Sequence, residues 1–156
     1  MRLFLLRHGQ THANVSGELD TGVPGLELTD LGHQQAAAAA RALTDAGITA
    51  IGVSSLTRTH QTARPLAEQL ALDPSRHDGL REITAGDFEM RNDHDAIHGF
   101  LETIGAWLED DLERRMPGGE TGLEFLARYD DAIARLCSAS PRPRWSSLTA
   151  PRSGRG

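Results

Sequence analysis

Apolar and polar positions along the chain fall into blocks of two kinds. Met1 to Leu6 is a short, nearly continuous apolar run that stops at Arg7-His8-Gly9. A run of that length predicts a buried strand that ends in a loop. Gly17 to Gly25 is rich in Gly, Pro and Asp and reads as loop. Leu28-Thr29-Asp30 then opens a helix. Thr29 is the expected N-cap, Asp30 suits the first turn, Ala36 to Ala40 has the best helix propensity, and Gly47 is the stop. Ile48 to Val53 reads as a second strand, and Thr57 to Leu70 as a helix with Pro65 as a kink or early-turn residue. Asp73 to Arg81 reads as loop. Asp93 to Arg115 predicts a long amphipathic helix with Ile97, Leu101, Ile104, Leu108 and Leu112 on one stripe. Pro117-Gly118-Gly119 breaks it. Thr121 to Cys137 predicts a further helix that buries Leu123, Leu126, Ala127, Ile133 and Leu136.

This order predicts an α/β fold: a mostly parallel sheet flanked by helices on both faces. Residues 1–140 make one domain. Residues 141–156 belong to an Arg/Pro/Ser/Gly-rich stretch, beginning near Ser138, without apolar period, and read as a disordered tail. A fold of this order returns to the sheet at that point, so a late strand is expected to be missing. No internal repeat is visible.

Composition narrows the function. A formal charge of −6 argues against a general binder of nucleic acid or anionic membrane, so a phosphate site would need a local concentration of arginine and backbone N–H. One cysteine, Cys137, precludes an intramolecular disulfide and suits a reducing compartment. No stretch approaches membrane-spanning length, and Leu3 to Leu6 is too short for the apolar region of a signal peptide. A cytoplasmic location is expected. The expected partner is a small molecule, with a homodimer left open.

Three segments carry candidate chemistry. In Leu5-Leu6-Arg7-His8-Gly9-Gln10-Thr11-His12-Ala13-Asn14, a strand end puts side chains at the carboxyl edge of the sheet, where open α/β sheets bind ligands. Histidine beside arginine suits attack on phosphate: the guanidinium neutralises the charge that repels a nucleophile and matches the oxygens bidentately. Gly9 lets the backbone approach closely. Ser54-Ser55-Leu56-Thr57-Arg58-Thr59-His60-Gln61-Thr62-Ala63 again follows a strand and opens a helix, so Arg58 would point across the same edge. Leu80-Arg81-Glu82-Ile83 offers Glu82 as a general acid toward a leaving oxygen. Taken singly, each segment also reads as an ordinary loop.

Taken in order, the segments resemble the histidine phosphatase (phosphoglycerate mutase-like) superfamily. Its Arg-His-Gly-x-Thr-x-x-Asn signature is matched at Arg7, His8, Gly9, Thr11 and Asn14. The stretch from Ser54 to Ala63 is similar to its second motif, and Leu80 to Glu89 to its acid loop. Pro117-Gly118-Gly119-Glu120-Thr121 is similar to its Pro-Gly-Gly-Glu-Ser loop, and Leu28 to Gly32 with Gln35-Ala36 to its first helix. The resemblance covers residues 1 to about 137. It implies that His8 is the nucleophile and passes through a phosphohistidine. Arg7 and Arg58 would clamp the phosphoryl oxygens, assisted by Asn14, and Glu82 would protonate the leaving alcohol and later activate water. No metal or other cofactor is implied. The short chain lacks the large insertions of true sugar-phosphate mutases, which favours phosphatase over mutase.

The chain departs from the family in one respect. The family carries a second catalytic histidine after the last of these helices, at a strand end before glycine, and no histidine follows His98 here. Read one frame over from the last base of the Pro143 codon, GC-rich codons for Arg144 to Gly156 can spell an apolar segment leading into His-Gly. The histidine there is one of the residues that the free third base of the Leu148 codon allows. A frameshift just before Arg144 is therefore expected, and with it an impaired enzyme. Three alternatives stand beside this one. A phosphate ligand could be bound without turnover. The chemistry could be a mutase-type phosphotransfer. Or His94 and His98, spaced i and i+4 on one helix face, could form a metal site.

Overall fold

The computed structural model describes residues 2–139. The expectations for residues 140–156 (the tail and the late strand) lie outside the described residues. The first helix, α1, is the single turn and a half His12–Ser16; it was not expected from the sequence. Its N-cap is Thr11, whose hydroxyl accepts from the Asn14 N–H while the Asn14 side chain accepts from the Thr11 N–H, a reciprocal capping box. Next, α2 spans Asp30–Leu43, with Thr29 as N-cap accepting from the Gly32 N–H as its sequence predicts. The two strands are Gly52–Val53 (β1) and Ser75–Arg76 (β2). They pair in parallel, with Gly52 opposite Ser75 and Val53 opposite Arg76. Between them, α3 covers Thr57–Leu70, the bounds its pattern predicts. Two 3₁₀ turns follow, at Asp78–Leu80 and Gly86–Phe88, then α4 (His94–Leu108) and α5 (Gly122–Ala139).

The core lies where α2 packs on α3 and where α3 meets β1. Ala36 and Ala40 of α2 are 1% exposed, so the alanine run serves to bring a helix close to its neighbour. Leu56, Val53 and Leu66 are buried with them, as are Ala85, Met116, Ala96 of α4 and Ala132 of α5.

Several expectations are corrected. The sheet is smaller than its pattern predicts: among the described residues it has two strands of two residues each. Residues 2–6 are not a buried strand. They have no ladder partner among the described residues, and Leu3, Phe4, Leu5 and Leu6 are 42–70% exposed. An apolar run is buried only where neighbouring backbone and helices cover it, and the sequence of the run does not supply that cover. These side chains line a cleft of about 1010 Å³, together with residues 48–54, α2, α3 and the end of α5.

The fourth helix ends seven residues early. Glu109, Asp110 and Asp111 put like charge on its carboxyl end, which opposes the helix dipole, and Asp110 turns the chain at φ 77°. The returning strand of chain is held by the Trp107 indole donating to the Arg114 carbonyl at 2.7 Å. Its buried face is Ala96, Thr103 and Trp107, while Leu101 and Leu108 are exposed. In α5, Leu123 and Leu126 are likewise exposed, and the helix packs through Gly122, Phe125, Arg128 and Ala132. No helix among the described residues is long and apolar enough to cross a membrane.

Candidate active site

His8 follows the exposed N-terminal segment and is half-buried. Its backbone is fixed by what surrounds Gly9. The Gly9 N–H donates to the Thr62 hydroxyl at 3.1 Å, and Gly9 touches Gly32 so closely that a Cβ on Gly9 would fall 2.5 Å from the Gly32 carbonyl oxygen. Gly32 in turn faces the Gln10 backbone, where a Cβ would overlap Gln10 O and lie 3.0 Å from Gln10 N. The Gln10 N–H donates to the Gln35 side chain at 2.8 Å, and the Thr29 N–H donates to the Gln10 carbonyl at 2.9 Å. The first turn of α2 therefore grips the His8–Gln10 backbone. The need for glycine at position 9 comes from this helix.

The imidazole tautomer follows from one contact. His8 Nδ1 lies 2.7 Å from the Gly9 carbonyl oxygen. A carbonyl only accepts, so Nδ1 carries the proton and Nε2 keeps its lone pair. Burial lowers the His8 pKa from its ordinary value, with the charges of Arg58 and Arg7 adding to it, while the Gly9 carbonyl and Glu82 act the other way. Arg58, Arg7 and Glu82 are thus all close enough for their charges to act on His8.

Arg58 sits in the first turn of α3 and is 2% exposed. Its guanidinium is aimed by Asp20: Nη2 donates to the Asp20 carbonyl at 2.8 Å and Nη1 to the Asp20 carboxylate at 3.3 Å. A Cβ on Gly25 would fall 2.6 Å from Nη1, so the 20–25 loop lies flat on the guanidinium. Arg58 Nε is buried without a partner among the described residues, an open donor that an anion would satisfy. Arg7 is exposed and makes no hydrogen bond or ion pair among the described residues. Asn14 is exposed, and its side-chain oxygen is committed to the α1 cap.

Glu82 is exposed on the 79–84 loop. The loop borders a smaller pocket of about 280 Å³, with Thr21, Gly22, Gly118 and Gly119 on its walls. The Pro-Gly-Gly-Glu-Thr segment braces this region. The Asp87 N–H donates to the Pro117 carbonyl at 2.8 Å, and the Thr84 N–H donates to the Glu120 carboxylate at 3.2 Å. Glu89 accepts from the N–H groups of Thr21 and Gly22, each at 2.8 Å, and from the Thr21 hydroxyl. It ties the loop beneath Arg58 to the acid loop. Sequence reasoning did not assign roles to Asp20, Glu89 or Arg128. A single carboxylate or arginine in a loop or on a helix gives no local signal.

His94 and His98 stack on the solvent side of α4, with ring centroids 5.9 Å apart and Asp95 and Glu102 beside them. Among the described residues no three His, Cys, Asp or Glu side chains come together as a metal site.

The chain matches the profile of the histidine phosphatase superfamily (branch 1) over residues 3–147. It is 35% identical to an adenosylcobalamin/alpha-ribazole phosphatase of Salmonella typhimurium, over 87% of this chain and 67% of that protein. It is also 35% identical to a glucosyl-3-phosphoglycerate phosphatase of Mycobacterium tuberculosis, over 96% of this chain and 66% of that protein. A PE-PGRS family protein of the same species is 53% identical over 86% of this chain, which corresponds to 24% of that protein. Among solved structures, a mycobacterial glucosyl-3-phosphoglycerate phosphatase complexed with VO3 superposes with a TM-score of 0.69 at 32% identity, covering 86% of this chain and 66% of that one. The chain thus spans about two thirds of the length of the phosphatases it matches, and about a quarter of the PE-PGRS protein. With its motifs in order and its fold shared, the chain belongs to the histidine phosphatase superfamily.

Proposed function

We propose that the chain is a metal-independent phosphomonoester hydrolase working through a phosphohistidine at His8. The observation that carries this reading is the His8 tautomer. With Nδ1–H held on the Gly9 carbonyl, the Nε2 lone pair is free, on a ring whose pKa burial has lowered and beside two arginine charges. Nε2 attacks phosphorus as the bond to the ester oxygen breaks, and the Glu82 carboxylic acid gives the leaving alcohol its proton. Water then attacks the phosphohistidine, Glu82 takes the proton of that water, and inorganic phosphate leaves with Nε2 restored. Arg58 and Arg7 hold the phosphoryl oxygens, and the Asn14 amide N–H assists. This chemistry asks for positioning and charge stabilisation, which these side chains supply without a metal.

The substrate class is a small phosphomonoester. The relatives' names point to phosphorylated metabolites, and the charge of −6 argues against a general binder of nucleic acid or anionic membrane. The lone Cys137 suits the reducing cytoplasm. A second reading, phosphate binding without turnover, is favoured by the lack of any histidine after His98.

A panel of radiolabelled monoesters separates the readings. The hydrolase labels transiently at His8 and releases phosphate, a pure binder is never labelled, and a mutase passes the label to a second alcohol. His8→Ala abolishes labelling and release, whereas His94→Ala, His98→Ala and chelator leave both intact. Activity lost to chelator and regained with zinc would overturn the reading.

A further inference from the structure

The 79–84 loop has little of its own to hold it. It contains one short 3₁₀ turn, and Glu82 at its tip is exposed. What fixes the backbone on which Glu82 rides is a side chain from another element. Arg128 of α5 donates from Nη1 to the Gly79 and Arg81 carbonyls at 2.8 and 2.9 Å, and from Nη2 to the Glu82 carbonyl at 3.0 Å. The guanidinium is itself held in place. Glu120 grips it bidentately, with Nε at 2.7 Å and Nη2 at 2.6 Å from its two oxygens, and the Phe125 ring lies 4.9 Å beneath it. Burial works to raise the Glu120 pKa, but hydrogen bonds from Arg128 and the Thr84 N–H outweigh it, and the carboxyl stays below its ordinary range. The ion pair is therefore intact at neutral pH. Gly79 completes the seat: a Cβ there would overlap the Arg128 carbonyl oxygen and lie 2.9 Å from Ala132 Cβ.

We infer that Arg128, locked by Glu120, is a positioning residue that sets Glu82 against His8. The inference rests on the assignment of Glu82 as the acid beside His8. A loop held by three carbonyls on one guanidinium keeps its place only while all three bonds can be made from one rigid fork. A lysine has the charge but a single nitrogen, which cannot span the three carbonyls and the Glu120 carboxylate together. Arg128→Lys therefore separates geometry from charge.

The test is the titration of His8, followed by NMR of its ring in the full chain and assigned with His8→Gln. The Glu82 charge raises the His8 pKa, against burial, Arg58 and Arg7, which lower it. Glu82→Gln should lower the His8 titration midpoint. Arg128→Lys should lower it in the same direction, as the carboxylate drifts away, and should add nothing when combined with Glu82→Gln. Thermal melts establish that each variant is folded. If Arg128→Lys does not fold, Glu120→Gln, which unlocks the same guanidinium, is read in the same way. A His8 midpoint that Glu82→Gln lowers but Arg128→Lys leaves in place overturns the inference alone, and so does a drop that adds to that of Glu82→Gln. A midpoint that Glu82→Gln does not move overturns the assignment of Glu82 as well.

Discussion

A histidine attacks phosphorus only through a ring nitrogen that carries a lone pair, and only while the ring is neutral. In His8 both conditions are met by local structure. The Gly9 carbonyl takes the Nδ1 proton, and half-burial disfavours the imidazolium. The sign of the pH dependence follows. The folded pKa lies below the ordinary 6.5, so the nucleophilic form prevails at neutral pH. Labelling of His8 should fall only as the pH drops below 6.5, and the acid limb of the rate of phosphohistidine formation should have its midpoint beneath that value. Between the folded pKa and 6.5 the unfolded chain binds the proton and the folded one does not. The same group therefore removes stability as pH falls through 6.5 toward the folded value. A single-turnover profile with its acid midpoint at or above 6.5 would contradict the account of the buried ring. Arg58 meets the same physics from the other side. Its buried charge is balanced by Asp20, which leaves Nε as the open donor.

At the scale of elements, the first turn of α2 is what shapes the His8–Gln10 loop. Gly32 is in contact with the Gln10 backbone, and a methyl there meets backbone that cannot rotate away. Gly32→Ala should cost about 1–3 kcal/mol, as overpacking does in a close-packed site. At roughly 2–4 °C per kcal/mol for a chain of this size, the melting temperature should drop measurably, and His8 labelling should fall with it because the Gln10 backbone must move. An unchanged melt and unchanged labelling would show that the contact is slack.

The four longer helices and the cap of the first of them were legible in the chain. Thr29 caps α2, α3 keeps its bounds, and the motifs fall in the predicted sequence. Those features are local, since a cap or a propensity acts within a few residues. The phase of α4 and α5 was not legible. Periodicity says that a stripe exists, but the neighbours decide which stripe is buried, and here Trp107 and Ala96 face inward while Leu101 and Leu108 do not. Of the candidate site residues, Arg58 falls at the helix start that its pattern predicts, whereas His8 and Glu82 were singled out by the order of the motifs, since residues 2–6 form no strand among the described residues and Glu82 lies on a loop. Arg128 was not, because its work is done on carbonyls 47 and 49 residues away in the chain.

At the scale of the whole molecule, the cleft of about 1010 Å³ calls for an occupant. Leu3, Leu5, His8, Ile51, Leu66, Ile133 and Leu136 are among the residues that line it. Apolar walls that include an N-terminal segment without a ladder partner among the described residues suit an apolar strand, since such a strand would pair that segment and cover its exposed side chains together. We propose that the frame change before Arg144 accounts for this geometry. In the shifted frame, GC-rich codons can spell an apolar segment leading into His-Gly, and Leu136 and Cys137, the last residues of α5 that line the cleft, precede it in the chain. Restoring that frame should have two effects of different kinds. Each apolar side chain that it buries contributes about 1.5–3 kcal/mol, so the melting temperature should rise by several degrees at roughly 2–4 °C per kcal/mol. Its histidine would donate to the phosphoryl oxygens as charge shifts in the transition state, and one preorganised donor of that kind is worth about 10²–10³ in rate. Changing the restored histidine to alanine should remove the gain in rate and keep the gain in stability. Paired melts and monoester hydrolysis on the chain as it stands, the restored chain and its alanine variant decide the matter. If the chain as it stands melts as high and turns over as fast as the restored one, the cleft needs no strand and the chemistry no second histidine.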